Sequence, residues 1–273
     1  MLTTAVKEKT VRFLGRIGIH LSFIGRFNEA LDSAYDGVSL SRSLVAENAE
    51  SYTPELADQL GKLGNCLSNV NQHMESLDAT QESVTLYRSL VVDNSRSYTH
   101  DLALQLGNLG IRLSNSNRHT EALNATQESV ALYRSLVADN PRSYTPDLAR
   151  QLGNLGNRLS TLNRHAEALN ATQESVTLYG SLVAENPASY NPGLARRLDD
   201  LGQCLSHLNR FTESRAITQE SLLLYQTLVA HNPALYSHDQ GVVRRHLDEC
   251  LSRLSQDANS PNSAQDPVSG ANN

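Results

Sequence analysis

The stretch that decides the fold is Ser143–Ala188, which reads SYTPDLARQLGNLGNRLSTLNRHAEALNATQESVTLYGSLVAENPA. The preceding segment, Ser97–Arg142, matches it without a gap at 36 of 46 positions. The same register covers four further segments, at residues 5–50, 51–96, 189–234 and, in part, 235–254. A fixed period of this length is typical of a solenoid, in which each unit buries its apolar face only against its neighbours.

Each unit contains two helical patterns, and the first begins near Thr145-Pro146-Asp147. A hydroxyl, a proline and an acid in that order predict a capped helix start with the proline at the first helical position. The spacing of four, three and four residues between the following leucines predicts one buried helical face. That face comprises Leu148, Leu152, Leu155 and Leu159, and Gly156 lies on it as well.

A tight turn is predicted near Leu162-Asn163, where the first helix ends. The aligned residues of the five units are Gly25, Asn71, Asn117, Asn163 and Asn209. Glycine and asparagine share a tolerance of the left-handed conformation that ends a helix. A second helix should then run from about Ala166 to Asn186. Its predicted buried stripe consists of Leu169, Val176, Tyr179 and Val183, with Ala168 and Leu182 beside it.

These motifs resemble the tetratricopeptide repeat. The resemblance rests on the run Leu152–Asn157 (LGNLGN), on Leu159, Asn163-Arg164 and Glu167-Ala168-Leu169, and on Pro187, and it covers residues 5–254. The unit of 46 residues is longer than the usual 34 and looks like the kinesin-light-chain type, as found in fungal and actinobacterial signalling arrays. His73, His119 and His165 replace the expected aromatic residue after the turn, although Phe27 and Phe211 keep it.

We therefore expect an all-α, right-handed solenoid over residues 1–254. It should contain five full repeats (5–50, 51–96, 97–142, 143–188 and 189–234) and a capping helix from about Asp239 to Leu254 within the partial copy 235–254. Residues 255–273 are rich in Ser, Asn, Pro and Gln and contain one sizeable apolar residue, Val268. Such a composition predicts a disordered tail.

Composition excludes several classes of function. A formal net charge of −6 argues against a nucleic-acid surface, which needs clustered Lys and Arg. The sequence contains no apolar run of about 18 residues, so we expect no membrane span. Cys66, Cys204 and Cys250 lie at one phase of the repeat, too far apart for disulfides at a helix spacing of about 9–10 Å. We expect reduced thiols and a cytoplasmic protein.

No cofactor, metal site or catalytic group is expected. His73, His119 and His165 recur once per repeat at the turns, whereas metal ligands must converge on one ion. The Gly61-Lys62 pair lacks the upstream glycine of a phosphate-binding loop. We also find no constellation for nucleophilic or acid–base catalysis, so the chain is not expected to be an enzyme.

The predicted binding surface is a second stripe on the first helix of each unit. It is offset by two residues, about 200°, from the leucine face and therefore points away from the core. In tetratricopeptide proteins this helix lines a concave groove for peptides or helices, which is what the resemblance implies here. The polar members of the stripe that we expect to bind are Arg12, Arg16, Asp58, Lys62, Asn65, Asn69, Asn108, Asn115, Arg150, Asn154, Asn157, Arg196 and Gln203.

Differences between the two most similar repeats favour this stripe. Three of the 10 differences fall on its four positions: Leu104 against Arg150, Ile111 against Asn157, and Asn115 against Thr161. By contrast, the run Asn124–Ser129, taken as the outer face of the second helix, is unchanged in the next repeat. Amide side chains both donate and accept hydrogen bonds, so they suit a peptide backbone.

Part of the stripe resembles the carboxylate clamp of chaperone-binding tetratricopeptide domains, through Asn65, Asn108 and Arg150. The resemblance fails at Gly61 and Asn154, where that family has basic residues. The sequence leaves three functions open: an adaptor that binds a peptide or helix, the sensor array of a larger NTPase-type signalling protein, and a self-associating structural protein. The identity of a protein partner does not follow from the sequence.

Overall fold

A computed structural model describes residues 3–258 of the chain. Within these residues the chain forms eleven helices and no strand, so the predicted all-α fold of helix-turn-helix repeats is confirmed. The helices are α1 (Thr4–Phe23), α2 (Phe27–Glu47), α3 (Ala49–Asn69), α4 (His73–Asp93), α5 (Ser95–Asn115), α6 (His119–Asp139), α7 (Pro141–Thr161), α8 (His165–Glu185), α9 (Pro187–His207), α10 (Phe211–His231) and α11 (Pro233–Ala258).

The helices group into two compact units, one up to Arg158 and the other from Leu159. In the first unit each helix from α1 to α6 packs against the next, and α1 also contacts α3. In the second unit the same order holds from α8 to α11, and α9 also contacts α11. Odd-numbered helices are the first helices of the repeats and even-numbered helices the second, so first helices are neighbours as well.

The predicted left-handed turns are present in all five repeats. Gly25 has φ +79°, and the four asparagines have φ between 57° and 62°. In each turn the backbone N–H of the residue after the turn residue donates to a carbonyl in the last turn of the first helix. Arg118 N, for example, donates to Leu113 O at 2.9 Å. This is the bond of a Schellman-type cap, which satisfies a carbonyl at the helix end.

The predicted start of the first helix is wrong by several residues. Helix α7 begins at Pro141, and Pro146 lies inside it. The asparagine between repeats acts as the cap: Asn186 accepts from Ser189 N at 3.2 Å, and Pro187 occupies the first turn of α9. Thr145 does not cap, since its hydroxyl donates to the carbonyl of Pro141. Pro146 has no N–H to donate to the carbonyl of Arg142, four residues earlier. The proline is tolerated because Arg142 is exposed, so water can bond to that carbonyl instead.

The ends of α11 also differ from the prediction. The helix begins at Pro233, directly after Asn232, because the Asn-Pro pair starts it as it starts α9. It ends at Ala258, four residues into the segment expected to be a disordered tail. The rest of that predicted tail, residues 259–273, lies outside the described residues.

The buried face of the second helix agrees with the prediction at Tyr179, Ala168 and Leu182 but is otherwise rotated by one residue. In α8 the buried side chains include Ala168, Thr172, Ser175 and Leu182, whereas Leu169, Val176 and Val183 are half-buried. Small polar residues face the core because they bond to the first helix of the same repeat. Ser129 Oγ, for example, donates to Ala103 O at 2.6 Å, and the hydroxyls of Ser83 and Ser221 make the equivalent bonds. Such bonds let two helix backbones approach closely.

Candidate functional site

The predicted stripe forms an accessible surface on the first helices, and none of its side chains is buried. We call its part in the first unit the first-helix face. It comprises Arg12, Arg16, Ile19 and Phe23 on α1, Asp58, Lys62, Asn65 and Asn69 on α3, Leu104, Asn108, Ile111 and Asn115 on α5, and Arg150, Asn154 and Asn157 on α7. The corresponding residues of the second unit are Thr161, Arg196, Asp200, Gln203 and His207.

The α1 part of this face is basic and apolar. Arg12 and Arg16 are exposed. Ile19 and Phe23 are 56% and 90% exposed, so two large apolar side chains face water in the last two turns of α1. Exposed apolar side chains grouped in this way are typical of a contact surface.

An open cavity of about 210 Å³ lies between α1 and α3. Its walls include Ile19, Ser22, Lys62, Asn65 and Cys66. Glycines provide part of the space, because a Cβ added at Gly15 would lie 2.8 Å from Lys62 Nζ and 2.9 Å from Gln59 Nε2. The cavity therefore combines an apolar wall with an amide and an ammonium group.

Buried glutamines support the amides of the face. Asn108 donates to Gln105 Oε1 at 3.3 Å, and Asn154 donates to Gln151 Oε1 at 3.2 Å. Both glutamines are buried, and each packs closely against a glycine of the preceding first helix. These hydrogen bonds restrict the rotamers of Asn108 and Asn154.

The charged residues of the face on α3 and α7 are paired within their own helices. Lys62 contacts Asp58 at 2.5 Å, and Arg150 contacts Asp147 at 2.6 Å. Asn65 accepts a hydrogen bond from Arg112 Nη2 at 2.8 Å. All three residues of the clamp resemblance thus have intramolecular partners. A bound carboxylate would compete with Asp147 for Arg150, whereas the side-chain amides of Asn65 and Asn108 each keep a hydrogen to donate.

In the second unit, α9 carries the equivalent surface. Arg196 is exposed and lies 3.9 Å from Asp239, while Gln203 donates to Asp199 Oδ2 at 2.9 Å. The ring of His207 stacks on that of His165, with centroids 4.5 Å apart. Burial, and then the charge of His165, lowers the pKa of His207, which favours the neutral ring.

The sequence pattern did not single out Arg112 and Arg158, which follow the stripe residues Ile111 and Asn157. Arg112 is only 8% exposed, and Arg158 is half-buried. A signal was available in the repeat alignment. The two arginines occupy the phase that holds cysteine in three other repeats, and a charge at a cysteine position is unexpected in a core.

The structure weakens one argument for the stripe. The run Asn124–Ser129 is not wholly an outer surface, because Ala125, Thr126 and Ser129 are buried. Packing therefore explains why these three positions do not differ between repeats. The other three positions of the run, Asn124, Gln127 and Glu128, are accessible. Only these three can be compared with the divergent stripe.

Within residues 3–258, no group of three or more His, Cys, Asp or Glu residues is arranged to hold a metal ion. Over the same residues, no helix combines the length and the apolar character that a membrane span requires. The three cysteines are free and buried.

Comparisons with known proteins agree with this geometry. Residues 102–142 and 148–187 match the family model described as tetratricopeptide repeat. A comparison with curated protein sequences gives no match. Among solved structures, a Podosopora anserina putative kinesin light chain with nearly identical TPR-like repeats is similar, with a TM-score of 0.59 and 13% identity over 81% of this chain and 96% of that one.

Two further solved structures are similar at low sequence identity. BtubC (BKLC) from P. vanneervenii gives a TM-score of 0.56 and 14% identity, covering 90% of this chain and 96% of that one. A Rap protein complexed with competence and sporulation factor gives 0.59 and 14%, covering 93% of this chain and 66% of that one. At such identity the likeness concerns the fold alone.

Proposed function

Because this chain is a tetratricopeptide-repeat protein with a long, kinesin-light-chain-like repeat, we propose that it is a non-enzymatic adaptor. The ligand would be a peptide or helix of another protein, held along the first-helix face in the groove that the family uses. The observation that carries this proposal is the row of accessible amide and basic side chains on four first helices of one compact unit.

Hydrogen-bonding capacity supports a peptide ligand. Asn108 and Asn154 are fixed by buried glutamines through one amide each, which leaves their side-chain oxygens as acceptors for backbone N–H groups. A ligand held through its backbone is bound with little dependence on its sequence. Discrimination would then come from the apolar cavity between α1 and α3, which accepts a side chain of limited size.

The similar structures support a binding role in general terms. One of them is a Rap protein complexed with competence and sporulation factor, so a fold of this kind holds another molecule. The three free, buried cysteines support a reducing, cytoplasmic location for the proposed adaptor.

The test replaces Asn65, Asn108, Arg150 and Asn157 together with alanine. All four side chains are accessible, so any fall in melting temperature should be confined to the loss of the hydrogen bond that Asn65 accepts from buried Arg112, whereas capture of partners from a native lysate should be lost. A matched control replaces three amides and one arginine on the second helices: Gln81, Asn124, Gln127 and Arg88, all accessible. The proposal fails if the first-helix variant captures the same proteins as the wild type, or if both variants lose them equally.

A further inference from the structure

A further surface of the first unit is a groove between the second helices α2 and α4, with a volume of about 500 Å³. Leu60, Leu63 and Leu67 of α3 form part of its apolar floor. Each of these leucines lies two residues, about 200° round the helix, from a residue of the first-helix face. The groove therefore lies on the opposite side of α3 from the first-helix face. We call it the second-helix groove.

The lining of the second-helix groove carries more carboxylates than cations. Glu75, Asp78 and Glu82 contribute three carboxylates, whereas Arg42 contributes one guanidinium group. Arg42 is paired with Glu82, at 2.7 Å between Nη2 and Oε2. Over residues 3–258 no hydrogen bond or ion pair engages the side chain of Glu75 or of Asp78, and both residues are exposed. Two carboxylates of the groove can therefore bind an added cation.

The repeat alignment indicates which cation Glu75 fits. In the other four full repeats the aligned glutamate binds an arginine three residues before it. Arg118, for example, donates from Nε and Nη2 to the two carboxylate oxygens of Glu121 at 2.7 and 2.6 Å. The remaining pairs are Arg26–Glu29, Arg164–Glu167 and Arg210–Glu213. The second repeat has Gln72 in place of the arginine, so both oxygens of Glu75 remain available.

Two more departures from the repeat pattern lie in the same groove. Tyr35 is 47% exposed and stands where the other four full repeats have glutamine. Asp78 stands where the third and fourth repeats have asparagine. The loss of one exposed ion pair at Gln72 is tolerated, since such a pair contributes at most about 1 kcal/mol. That tolerance does not explain why an aromatic ring and a further carboxylate line the same groove.

We propose that the second-helix groove binds an arginine side chain presented by a short segment of another protein. The guanidinium fork matches the Glu75 carboxylate as it matches that of Glu121, and Asp78 adds a second negative charge. The ring of Tyr35 offers a face on which the guanidinium group stacks, and the apolar stem of arginine covers the leucine floor. Tyr35 and Arg42 lie two turns apart on α2, about 10 Å, which matches about three residues of an extended segment.

The test titrates the full chain with an acetylated and amidated pentapeptide of sequence ALRLA at low salt, and follows the amide resonances of α4 by NMR. The matched peptide carries citrulline, which has the shape of arginine without its charge. The wild type should bind the arginine peptide about three- to tenfold more tightly than the citrulline peptide, because only the arginine peptide makes charge-assisted hydrogen bonds. Equal affinities for the two peptides overturn the proposal.

Two variants test the role of Glu75. Gln72→Arg supplies the arginine of the other repeats, which occupies Glu75 from within the chain, so the affinity for the arginine peptide should fall at least about threefold. The melting temperature of this variant should equal or slightly exceed that of the wild type, since four repeats already fold with the same pair. Glu75→Gln removes the carboxylate and should weaken binding to a similar extent.

Matched variants separate this site from the general charge of the chain. Glu121→Gln removes the same charge at the aligned position of the next repeat, where Arg118 already occupies the carboxylate. Gln127→Arg adds one positive charge on α6. Both variants should bind the arginine peptide like the wild type. Tyr35→Gln, which copies the other repeats, should weaken binding about twofold through the loss of stacking.

Three further results overturn the proposal. The first is an unchanged affinity for the arginine peptide in either Gln72→Arg or Glu75→Gln. The second is an equal loss of affinity in Glu121→Gln, which would assign binding to the overall negative charge. The third is Nα-acetylarginine amide that binds as tightly as the pentapeptide, which would assign the groove to a small organic cation instead of a segment of a partner protein.

This inference goes beyond the proposed adaptor function, and the two can fail separately. The alanine variant at Asn65, Asn108, Arg150 and Asn157 leaves the second-helix groove intact, so it should bind the arginine peptide like the wild type. Conversely, Gln72→Arg leaves the first-helix face intact, so partners that this face holds should still be captured from a lysate.

Discussion

The crevice between α1 and α3 is open, whereas the crevice between α3 and α5 is filled by a guanidinium group. The helix pairs that form them follow the same 46-residue pattern. One difference between them is the position that holds Cys66 in one repeat and Arg112 in the next. Residues that all repeats share thus build the scaffold, and residues that one repeat replaces give each crevice its own chemistry. Exchanging such residues between repeats tests this division.

The largest effect is expected at the glycine between the two helices of one repeat. A Cβ at Gly110 would lie 2.3 Å from Thr126 Oγ1 and 3.2 Å from Ala122 O, so Gly110→Ala should lower the free energy of unfolding by about 1–3 kcal/mol. At the aligned Gly18 the nearest atom would be 3.5 Å away. Gly18→Ala should therefore be neutral or stabilising by up to about 1 kcal/mol. Chemical denaturation of both variants measures the difference.

The first repeat has more room because Ala34 stands where the third repeat has Thr126. The double variant Gly110→Ala, Thr126→Ala copies that arrangement and should regain a large part of the lost stability. Equal destabilisation by Gly18→Ala and Gly110→Ala would show that the threonine hydroxyl does not set the helix spacing.

A gain in stability is expected at Gly180 in α8. Aligned arginines in the second helices of the first unit form ion pairs across neighbouring repeats, Arg42 with Glu82 and Arg88 with Glu128. Gly180 lies inside its helix, and a Cβ there meets no atom within 4 Å. Gly180→Ala should therefore raise the free energy of unfolding by about 1 kcal/mol.

The variant Gly180→Arg adds a test of the ion pair, because its aligned partner is Glu220. An exposed ion pair should add about 0.2–1 kcal/mol to the free energy of unfolding of the Gly180→Ala variant, and high salt should remove that addition. Hydrogen exchange in the wild type should be faster in α8 than in α6, where Arg134 occupies the same position. Equal exchange would contradict a local weakening of the fourth repeat.

Much of the fold follows from the sequence because it depends on local rules repeated five times. The left-handed residues Gly25 and Asn163 were predicted from their exchange at one aligned position. Pro146 misled the prediction of the helix start, since proline is compatible with later positions when the bond it removes lies close to water. The true signal is the Asn-Pro pair at residues 186–187, which starts α9.

The candidate site is less predictable because it depends on which partners a side chain finds. Helical periodicity places Asn108 and Arg150 on an accessible stripe, as the structure does. It does not reveal that Gln105 fixes Asn108, or that Asp147 pairs with Arg150. Nor does it show that Arg112 reaches across to α3 and becomes buried, since this contact joins residues 47 apart.

A smaller effect, dependent on pH, is expected in the second unit alone. Asp199 stands where the first four repeats have glycine, and His246 of α11 contacts it at 2.9 Å. The hydrogen bond to Asp199 raises the pKa of His246, aided by the charge of Glu249 and opposed by burial and by Arg245. The stabilisation of the folded state by the His246–Asp199 contact is therefore complete at a pH below 6.5, the ordinary pKa of histidine. It is lost as the pH rises through the raised pKa of His246.

Thermal melts between about pH 5 and 8 should show this loss as a fall in melting temperature with rising pH. The variant Asp199→Gly, which restores the residue of the other repeats, should have a flatter dependence of melting temperature on pH. Asp199→Asn is the matched control for the size of the side chain, and it should flatten the profile as well. A His246→Gln variant whose melting temperature keeps the wild-type pH dependence would assign that dependence to other groups.

The smallest effect leaves stability unchanged and concerns access to the open crevice. Burial raises the pKa of both Cys66 and Cys204, so both thiols stay protonated and react slowly in the native state. Cys66, however, lines the cavity between α1 and α3, so a small thiol reagent should reach it without unfolding. Native labelling followed by mass spectrometry should modify Cys66 before Cys204, and Ile19→Trp at the cavity wall should slow the first reaction only. Equal rates at the two cysteines would mean that labelling follows helix opening and that the cavity does not admit ligands, which would also remove it from the proposed binding face.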